Sequence, residues 1–90
     1  MNIDKVMEDI KNGTIEHDLK ILPEYFDDVQ SGRKKFELRK NDRNYQPGDI
    51  FVLREWNGKY TGRFYIGSIG YVLEDCIEHG LIPGYCIFCW

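Results

Sequence analysis

The residues with the clearest potential for chemistry lie in the segment Gly-Arg-Lys-Lys-Phe-Glu-Leu-Arg at positions 32–39. Alternation of apolar and charged side chains predicts a β-strand over positions 34–40, with Glu37 and Arg39 on the same face. A carboxylate between cations stays ionised and orients them, and the planar guanidinium of Arg39 can bind a phosphate, a carboxylate or a base edge. The segment therefore predicts either a binding site or a ladder of surface charges that contributes little to stability.

The charges are unevenly distributed along the chain. The formal net charge of −3 argues by itself against a nucleic-acid-binding protein, yet residues 31–63 carry nine basic and four acidic side chains. Six of the twelve cations fall within positions 33–43, whereas residues 64–90 contain three acidic and no basic side chains. Because exposed charges beyond about 8–10 Å are largely screened by salt, a local basic stretch can attract phosphate on an acidic protein.

Length and composition restrict the possible functions. The chain has 90 residues, with 42% hydrophobic and 30% charged side chains, which predicts one small globular domain. Such a domain has no room for a Rossmann unit, and we expect no cofactor. We expect no membrane association, since no apolar run approaches the roughly 18 residues of a span and the first residues do not resemble a secretory signal. The odd number of cysteines favours a reducing cytoplasm.

The periodicity of apolar residues predicts helices early in the chain and strands after them. A helix is predicted over positions 2–12, a strand over 17–22 and a second short helix over 24–31. The second helix is expected to pack Tyr25, Phe26 and Val29 against the core. Four later segments are predicted as strands, with a short helix or turn at 74–80 between the last two: 34–40, 50–56, 59–72 and 85–90.

Turn residues separate the predicted strands. Pro47 and Gly48 suit the second and third positions of a type II turn, and Asn57-Gly58 is the favoured two-residue hairpin turn. Short strands with glycine bends in so small a chain predict an α+β fold built on a compact curled sheet or a small barrel.

The pattern G-x-K-x-x-E-x-R formed by Gly32, Lys34, Glu37 and Arg39 resembles the signature of the ASCH domains, members of the PUA-like superfamily. The likeness extends over roughly residues 17–88 to an ASCH-like subfamily of bacterial and phage proteins of unknown function. The further matching segments are His17-x-Leu19-Lys20-Ile21, Tyr25-Phe26, Asn41-Asp42-Arg43, Gly48-Asp49, Leu53-Arg54-Glu55-Trp56, Tyr60-Thr61-Gly62 and Gly84-Tyr85.

The resemblance implies a fold and a site. The fold would be a small PUA-like curled β-barrel of about five to six strands, with one or two short helices packed at one side. Residues 15–90 would form this domain, and residues 1–14 would be a helical extension. The signature would line a cleft that binds RNA or a nucleotide, through the ligand-binding residues Lys34, Glu37, Arg39, Asn41, Asp42 and Arg43.

Phosphates and bases are expected to meet different side chains around this cleft. Arg33, Lys35 and Lys40 are the predicted phosphate-binding residues, because exposed cations neutralise the nucleic-acid backbone. A base is expected to stack on an exposed aromatic ring. The candidate rings are Tyr45, Trp56, Tyr60 and Tyr65.

Catalysis is the alternative function. Some small ASCH proteins are amidohydrolases that deacylate N4-acylated cytidines, and they resemble this chain at Lys34. They have a threonine nucleophile where this chain has Glu37, and a carboxylate is a poor nucleophile toward an amide. Lys34 and Glu37 would then act as a catalytic acid and base on a modified nucleoside. A second alternative is a protein-interaction domain, with the acidic helix at residues 1–14 as the contact.

The cysteines and histidines do not predict a metal site. Cys86 and Cys89 form a C-x-x-C pair, but residues i and i+3 of a strand point to opposite faces, so we expect core thiols. His17 shares its face of the predicted strand with Leu19 and Ile21. We therefore expect a partly buried, hydrogen-bonded histidine and not a catalytic one.

Overall fold

A computed structural model describes residues 1–90, which form two helices, six strands and one turn of 3₁₀ helix. The elements in chain order are α1 (Ile3–Lys11), β1 (His17–Ile21), α2 (Pro23–Gln30), β2 (Phe36–Lys40), β3 (Ile50–Trp56), β4 (Tyr60–Ser68), β5 (Tyr71–Leu73), the 3₁₀ turn (Ile77–His79) and β6 (Tyr85–Cys89). No helix has both the length and the apolar character needed to cross a lipid bilayer.

The strands form two separate three-stranded sheets. In the first sheet, β3 lies in the centre, parallel to β1 and antiparallel to β4. In the second sheet, β6 lies in the centre, antiparallel to both β2 and β5. The predicted α+β class and the number of elements are therefore confirmed, but the sheets do not close into the predicted barrel.

The chain passes from the first sheet to the second at Ile69 and Gly70. Ile69 is buried and donates its backbone N–H to Asp49, whereas Gly70 donates to Cys89 of the second sheet. The single strand predicted over positions 59–72 is therefore wrong, because its two halves pair with different partners. The predicted turn at Pro47-Gly48 is confirmed, with Gly48 at a φ of 93°. The chain also turns at Asn57-Gly58, but Trp56 pairs with Tyr60, so the hairpin loop spans residues 57–59 and the predicted two-residue turn is wrong.

The main core lies between the two sheets and α2. Aromatic side chains supply much of it, including Phe26 from α2, Phe51 from β3 and Phe88 from β6. Gly67 of β4 lies against this core, since a Cβ there would approach Phe51 Cζ to 2.5 Å. The glycine therefore leaves room for the Phe51 ring.

A smaller core lies between α1 and the opposite face of the first sheet. Val6 of α1 is fully buried against Val52 of β3 and Ile15 of the loop before β1. The N-cap of α1 is Asn2, whose side chain accepts the backbone N–H of Lys5 at 3.0 Å. Strand β3 thus packs on both of its faces, toward α2 and toward α1, and the prediction that the helices pack at one side is wrong.

The corresponding outer face of the second sheet has no helix over it. Register places Phe36 and Leu38 of β2 beside Ile87 and Cys89 of β6 and beside Tyr71 of β5 on this face. Phe36 is 48% exposed and Leu38 is 56% exposed. The alternation predicted for β2 is therefore present, but its apolar residues face outward and its charged residues face inward.

Several aromatic positions differ from their predicted roles. Tyr25 is 47% exposed, so the prediction that it packs in the core is wrong, whereas Phe26 and Val29 are buried as predicted. Tyr45, predicted as a ring on which a base could stack, is buried between His17 and Phe88. Burial there also raises the pKa of the Tyr45 hydroxyl.

Candidate functional site

The candidate site is a cleft of about 350 Å³ where the edge strand β1 of the first sheet approaches the edge strand β2 of the second. The end of β1, one residue of α2 and the signature segment contribute its walls. The lining residues are Lys20, Ile21, Leu22, Tyr25, Lys34, Phe36, Glu37, Leu38 and Arg39.

Glu37 is the central charged group of the cleft and is only 5% exposed. Its Oε1 accepts a hydrogen bond from Lys34 Nζ, and its Oε2 accepts Arg39 Nε at 2.9 Å. The Arg39 Nη2 atom lies 2.8 Å from the same Oε2. A buried carboxylate held by two cations is an ion-pair network, so the alternative of an exposed surface ladder is wrong for this residue.

Local structure places Lys34 at the mouth of the cleft. Gly32 lies just after the end of helix α2 and terminates it with a φ of 83°, a conformation that suits glycine. Its backbone N–H donates to the carbonyl of Val29. Lys34 then donates its backbone N–H to Asp28 at 2.9 Å. Its ammonium group donates to the carbonyl of Phe36 at 2.7 Å as well as to Glu37. The G-x-K-x-x-E spacing thus brings lysine and glutamate together.

Arg39 connects the signature to the first sheet. Its Nη2 donates to the carbonyl oxygen of Lys20 on β1 at 2.7 Å. Its side chain remains 24% exposed and that of Lys34 17% exposed, so both cations can still reach a ligand in the cleft.

The cleft is rimmed by apolar side chains that have no partner in the protein core. Leu22, Tyr25, Phe36 and Leu38 are each between 47% and 56% exposed. Lys34 Nζ lies 4.8 Å from the centre of the Phe36 ring and 5.7 Å from that of Tyr25, within range of cation–π attraction. The site therefore combines charged groups at its floor with flat apolar surfaces at its rim.

A second recess of about 380 Å³ adjoins the cleft. Tyr25, Lys34 and Phe36 line both cavities, and Asp28 and Arg33 complete the second. Arg33 is already paired with Asp28, since its Nη2 lies 2.8 Å from Oδ1.

The other predicted site residues lie outside the cleft. Lys35 and Lys40 are exposed and form no ion pair. Asn41 turns toward the end of the second sheet, where Nδ2 donates to Glu74 at 2.8 Å and Oδ1 is buried without a partner. Asp42 and Arg43 are exposed in the loop that follows. The predicted site thus separates into a compact group, Lys34, Glu37 and Arg39, and a peripheral set of charges.

The remaining predicted stacking rings already contact cations or the core. Lys20 Nζ lies 3.9 Å from the centre of the Trp56 ring, and the Arg54 guanidinium lies 3.8 Å from that of Tyr60. Arg54 also forms two hydrogen bonds to Asp18, which raise its pKa. Tyr65 is partly buried against Phe51 and Trp90.

Sequence reasoning missed the residues that β1 and α2 contribute to the cleft. Lys20, Ile21 and Leu22 meet β2 only through the approach of the two sheets, which no local pattern shows. Tyr25 was expected in the core. The segments around Lys20 and Tyr25 belong to the family resemblance, and that was the one signal that pointed to them.

His17 and the cysteines follow their predicted roles more closely. His17 is 5% exposed, and its Nε2 forms a hydrogen bond of 2.8 Å with Asp49. The predicted hydrogen-bonded histidine is therefore confirmed, although its ring is more buried than predicted. Asp49 accordingly does more than form a turn. Cys86 is fully buried, as predicted for a core thiol, and burial raises the pKa of its thiol. Cys89 faces the other side of β6 and is half-buried, so the prediction of a core thiol is wrong for this residue.

Comparison with known proteins places the chain in a family defined by sequence. The model of a domain of unknown function, DUF3850, matches residues 16–89, which include the whole cleft and exclude α1. The chain belongs to the DUF3850 family.

A bacteriophage protein is similar in sequence to part of this chain. An uncharacterized 12.9 kDa protein in the GpA 3′ region of Escherichia phage P2 is 50% identical over 48 residues. Those residues amount to 52% of this chain and 44% of the phage protein, so the match spans less than half of that relative.

Proposed function

We propose that this DUF3850 domain binds RNA or a nucleotide in the cleft between β1 and β2. The observation that carries the proposal is the combination of two partly exposed cations on a buried carboxylate with a rim of exposed aromatic and aliphatic side chains. The base of a nucleotide stacks on a flat apolar surface, and the polar edge of the base and the phosphate group accept hydrogen bonds from donors.

The donors that remain in the cleft define what a ligand must present. Lys34 has three N–H groups, of which Phe36 and Glu37 take two. Arg39 uses Nε and Nη2 on Glu37 and Lys20, which leaves the two N–H groups of Nη1. Each oxygen of Glu37 already accepts a hydrogen bond from one of the two cations. The free N–H groups of Lys34 and Arg39 are the donors that remain on the charged floor of the cleft, and they suit a phosphate or a base carbonyl oxygen.

The apolar rim of the cleft favours a planar ligand, such as a base, over a small inorganic anion. A cavity of about 350 Å³ is at the lower end of the size range of small-molecule sites. Tyr25 and Phe36 present exposed rings beside Lys34, and aromatic stacking is the usual way in which proteins hold unpaired bases. The adjoining recess next to Arg33 gives room for a neighbouring phosphate or base.

The likeness of Gly32, Lys34, Glu37 and Arg39 to the ASCH signature also supports nucleotide binding. Lys35 and Lys40 are exposed without ion pairs and are therefore available to phosphates further along an RNA chain. The geometry supports hydrolysis less well, because both oxygens of the Glu37 carboxylate are already engaged by Lys34 and Arg39, and a carboxylate is a poor nucleophile toward an amide.

An amide NMR titration at low salt tests the proposal. The ligands are single nucleotides, a short mixed-sequence RNA and N4-acetylcytidine, and the free acylated nucleoside is assayed afterwards for deacylation. We expect shifts concentrated at residues 20–25 and 32–39, and an affinity for RNA that falls as salt rises. Absence of shifts with every ligand at low salt would contradict the proposal, and deacylation would favour the enzyme.

Two variants that each remove one positive charge locate the binding site. Arg39→Gln removes a donor from the cleft, and Lys11→Ala removes an exposed charge from α1, outside the family match. A hydrogen bond to a charged group contributes roughly 1.5–3 kcal/mol, so we expect about a tenfold or greater loss of affinity for Arg39→Gln only. Equal losses in both variants would indicate unspecific attraction by the net charge.

A further inference from the structure

We propose that the turn between β5 and β6 binds a divalent transition-metal ion, of the type of Zn²⁺, through Cys76, Glu78 and His79. One ligand atom from each of these side chains lies within 4.8 Å of the other two. Thiolate, imidazole and carboxylate are the three protein ligands that zinc sites use. This site lies away from the cleft and is independent of the function proposed for it.

The backbone holds the three residues together. The carbonyl of Cys76 accepts the N–H groups of His79 and Leu81, both at 3.1 Å, and Gly80 closes the turn at a φ of 95°. Cys76 directly precedes the 3₁₀ turn as its N-cap residue, and His79 is the last residue of the turn. The convergence of the ligands is therefore a property of the folded turn.

The three side chains have no other partner in the protein. None of them forms a side-chain hydrogen bond or an ion pair. Residues 64–90 contain no lysine or arginine, and Glu74 and Asp75 lie directly before Cys76. The local charge thus favours a cation, and no neighbouring basic residue in the segment competes for the ligands.

The geometry suits a site with an open coordination position. Zinc binds sulfur at about 2.3 Å and nitrogen or oxygen at about 2.0–2.2 Å, so the ligands need to approach one another slightly. Glu78 and His79 are exposed and Cys76 is half-buried, so rotation of the side chains can supply this movement. Three protein ligands leave a fourth position for water. Binding transfers the Cys76 thiol proton to solvent, so affinity should rise with pH.

The site is distinct from the C-x-x-C pair of the last strand. Cys86 is buried and faces the core, whereas Cys89 faces the outer side of β6. Their sulfur atoms cannot share an ion without loss of the strand, because residues i and i+3 diverge. Cys89 therefore provides a matched control for Cys76, since both thiols are half-buried and neither is bonded to another cysteine.

The first test is a titration of the reduced, metal-free protein with Co²⁺, followed by Zn²⁺. We expect a thiolate-to-cobalt charge-transfer band that saturates at one ion per chain and disappears when zinc displaces cobalt. Cys76→Ser should abolish the band, and Cys89→Ser should retain it. Absence of the band in the wild-type protein, or its persistence in Cys76→Ser, would overturn the proposal.

The second test asks whether all three side chains bind the ion or whether the Cys76 thiol binds it alone. We expect Glu78→Gln and His79→Gln each to weaken zinc binding about tenfold or more in competition with a chromophoric chelator, whereas Glu24→Gln on α2 should have no effect. Mg²⁺ should not compete, because it prefers oxygen ligands. Unchanged affinity in both the Glu78 and His79 variants would show that Cys76 binds the ion without the other two, and would overturn the site.

Discussion

Arg39 Nη2 donates a hydrogen bond of 2.7 Å to the carbonyl oxygen of Lys20 and so joins the edge strands of the two sheets. The same guanidinium is paired with Glu37, which in turn holds Lys34. One charged network therefore fixes the width of the cleft and supplies its donors. This double role leads us to expect that changes in the network affect both stability and binding.

The substitution Glu37→Gln is expected to destabilise the protein by roughly 2 kcal/mol. It removes the only carboxylate between Lys34 and Arg39, and loss of a buried hydrogen bond to a charged group costs about 1.5–3 kcal/mol. The partial exposure of the two cations limits the penalty because water can solvate them. Urea denaturation measures the free energy of unfolding.

Asp28→Asn is the control for this change. It weakens an exposed ion pair with Arg33, and such pairs contribute at most about 1 kcal/mol. Equal effects of the two substitutions would mean that the pairing of Glu37 contributes no more than a surface pair.

The exposed ring of Tyr25 is expected to contribute to binding and little to stability. It lines both cavities and is 47% exposed. Because stacking of a base on an aromatic ring contributes about 1–3 kcal/mol, Tyr25→Ala should weaken nucleotide or RNA binding fivefold or more. Tyr71→Ala, which removes a ring that is 61% exposed on β5, should leave the affinity unchanged. Fluorescence titration with the nucleotide or RNA measures the affinity of each variant. Similar affinities for both variants would show that the base does not stack on Tyr25.

The pairing of Glu55 predicts how stability depends on pH. Hydrogen bonds from Arg63 and Thr61 lower the pKa of Glu55 from 4.5 to about 2. A carboxyl group whose pKa is lower in the folded than in the unfolded state stabilises the fold above its unfolded pKa. This contribution is lost as the pH falls from about 4.5 toward 2. Urea denaturation between these pH values should give a shallower pH dependence for Glu55→Gln than for the wild-type protein, and parallel curves would refute the role of this pair.

A side chain at Gly67 is expected to destabilise the protein. A Cβ would lie 2.5 Å from Phe51 Cζ, in a core that cannot expand without moving a buried ring. Overpacking costs about 1–3 kcal/mol, so Gly67→Ala should lower the free energy of unfolding by that amount. Gly70→Ala is the control, because its added Cβ would meet the Cys89 carbonyl oxygen at an ordinary 3.5 Å. Similar stabilities of the two variants in thermal denaturation would show that Phe51 can move aside.

Local patterns in the sequence predicted the local structure well. The first helix, the strand at His17 and the turn at Gly48 depend on residues within a few positions of one another, and their bounds agree with the structure to within about two residues. The association of Lys34 with Glu37 also follows from close spacing at the start of a strand. Such features need no knowledge of distant contacts.

Features that depend on packing between distant segments could not be predicted. Alternation assigns Phe36 and Glu37 to opposite faces of β2 but does not tell which face is buried. The structure buries Glu37 beside its cross-strand neighbour Phe88 and leaves Phe36 48% exposed, a choice that depends on contacts between segments far apart in the chain. For the same reason the sequence did not show the contact of Arg39 with Lys20, or the separation of Asn41 from the cleft.

The central position of β3 has a consequence for the opening motions of the domain. Phe51, Val52 and Leu53 are fully buried, and β3 pairs with a strand on each side and packs against a core on each face. Backbone amides in such a position become accessible to solvent only when the whole domain unfolds. Hydrogen–deuterium exchange at Val52 should therefore report the global free energy of unfolding, while the edge strand β5 exchanges through local fraying.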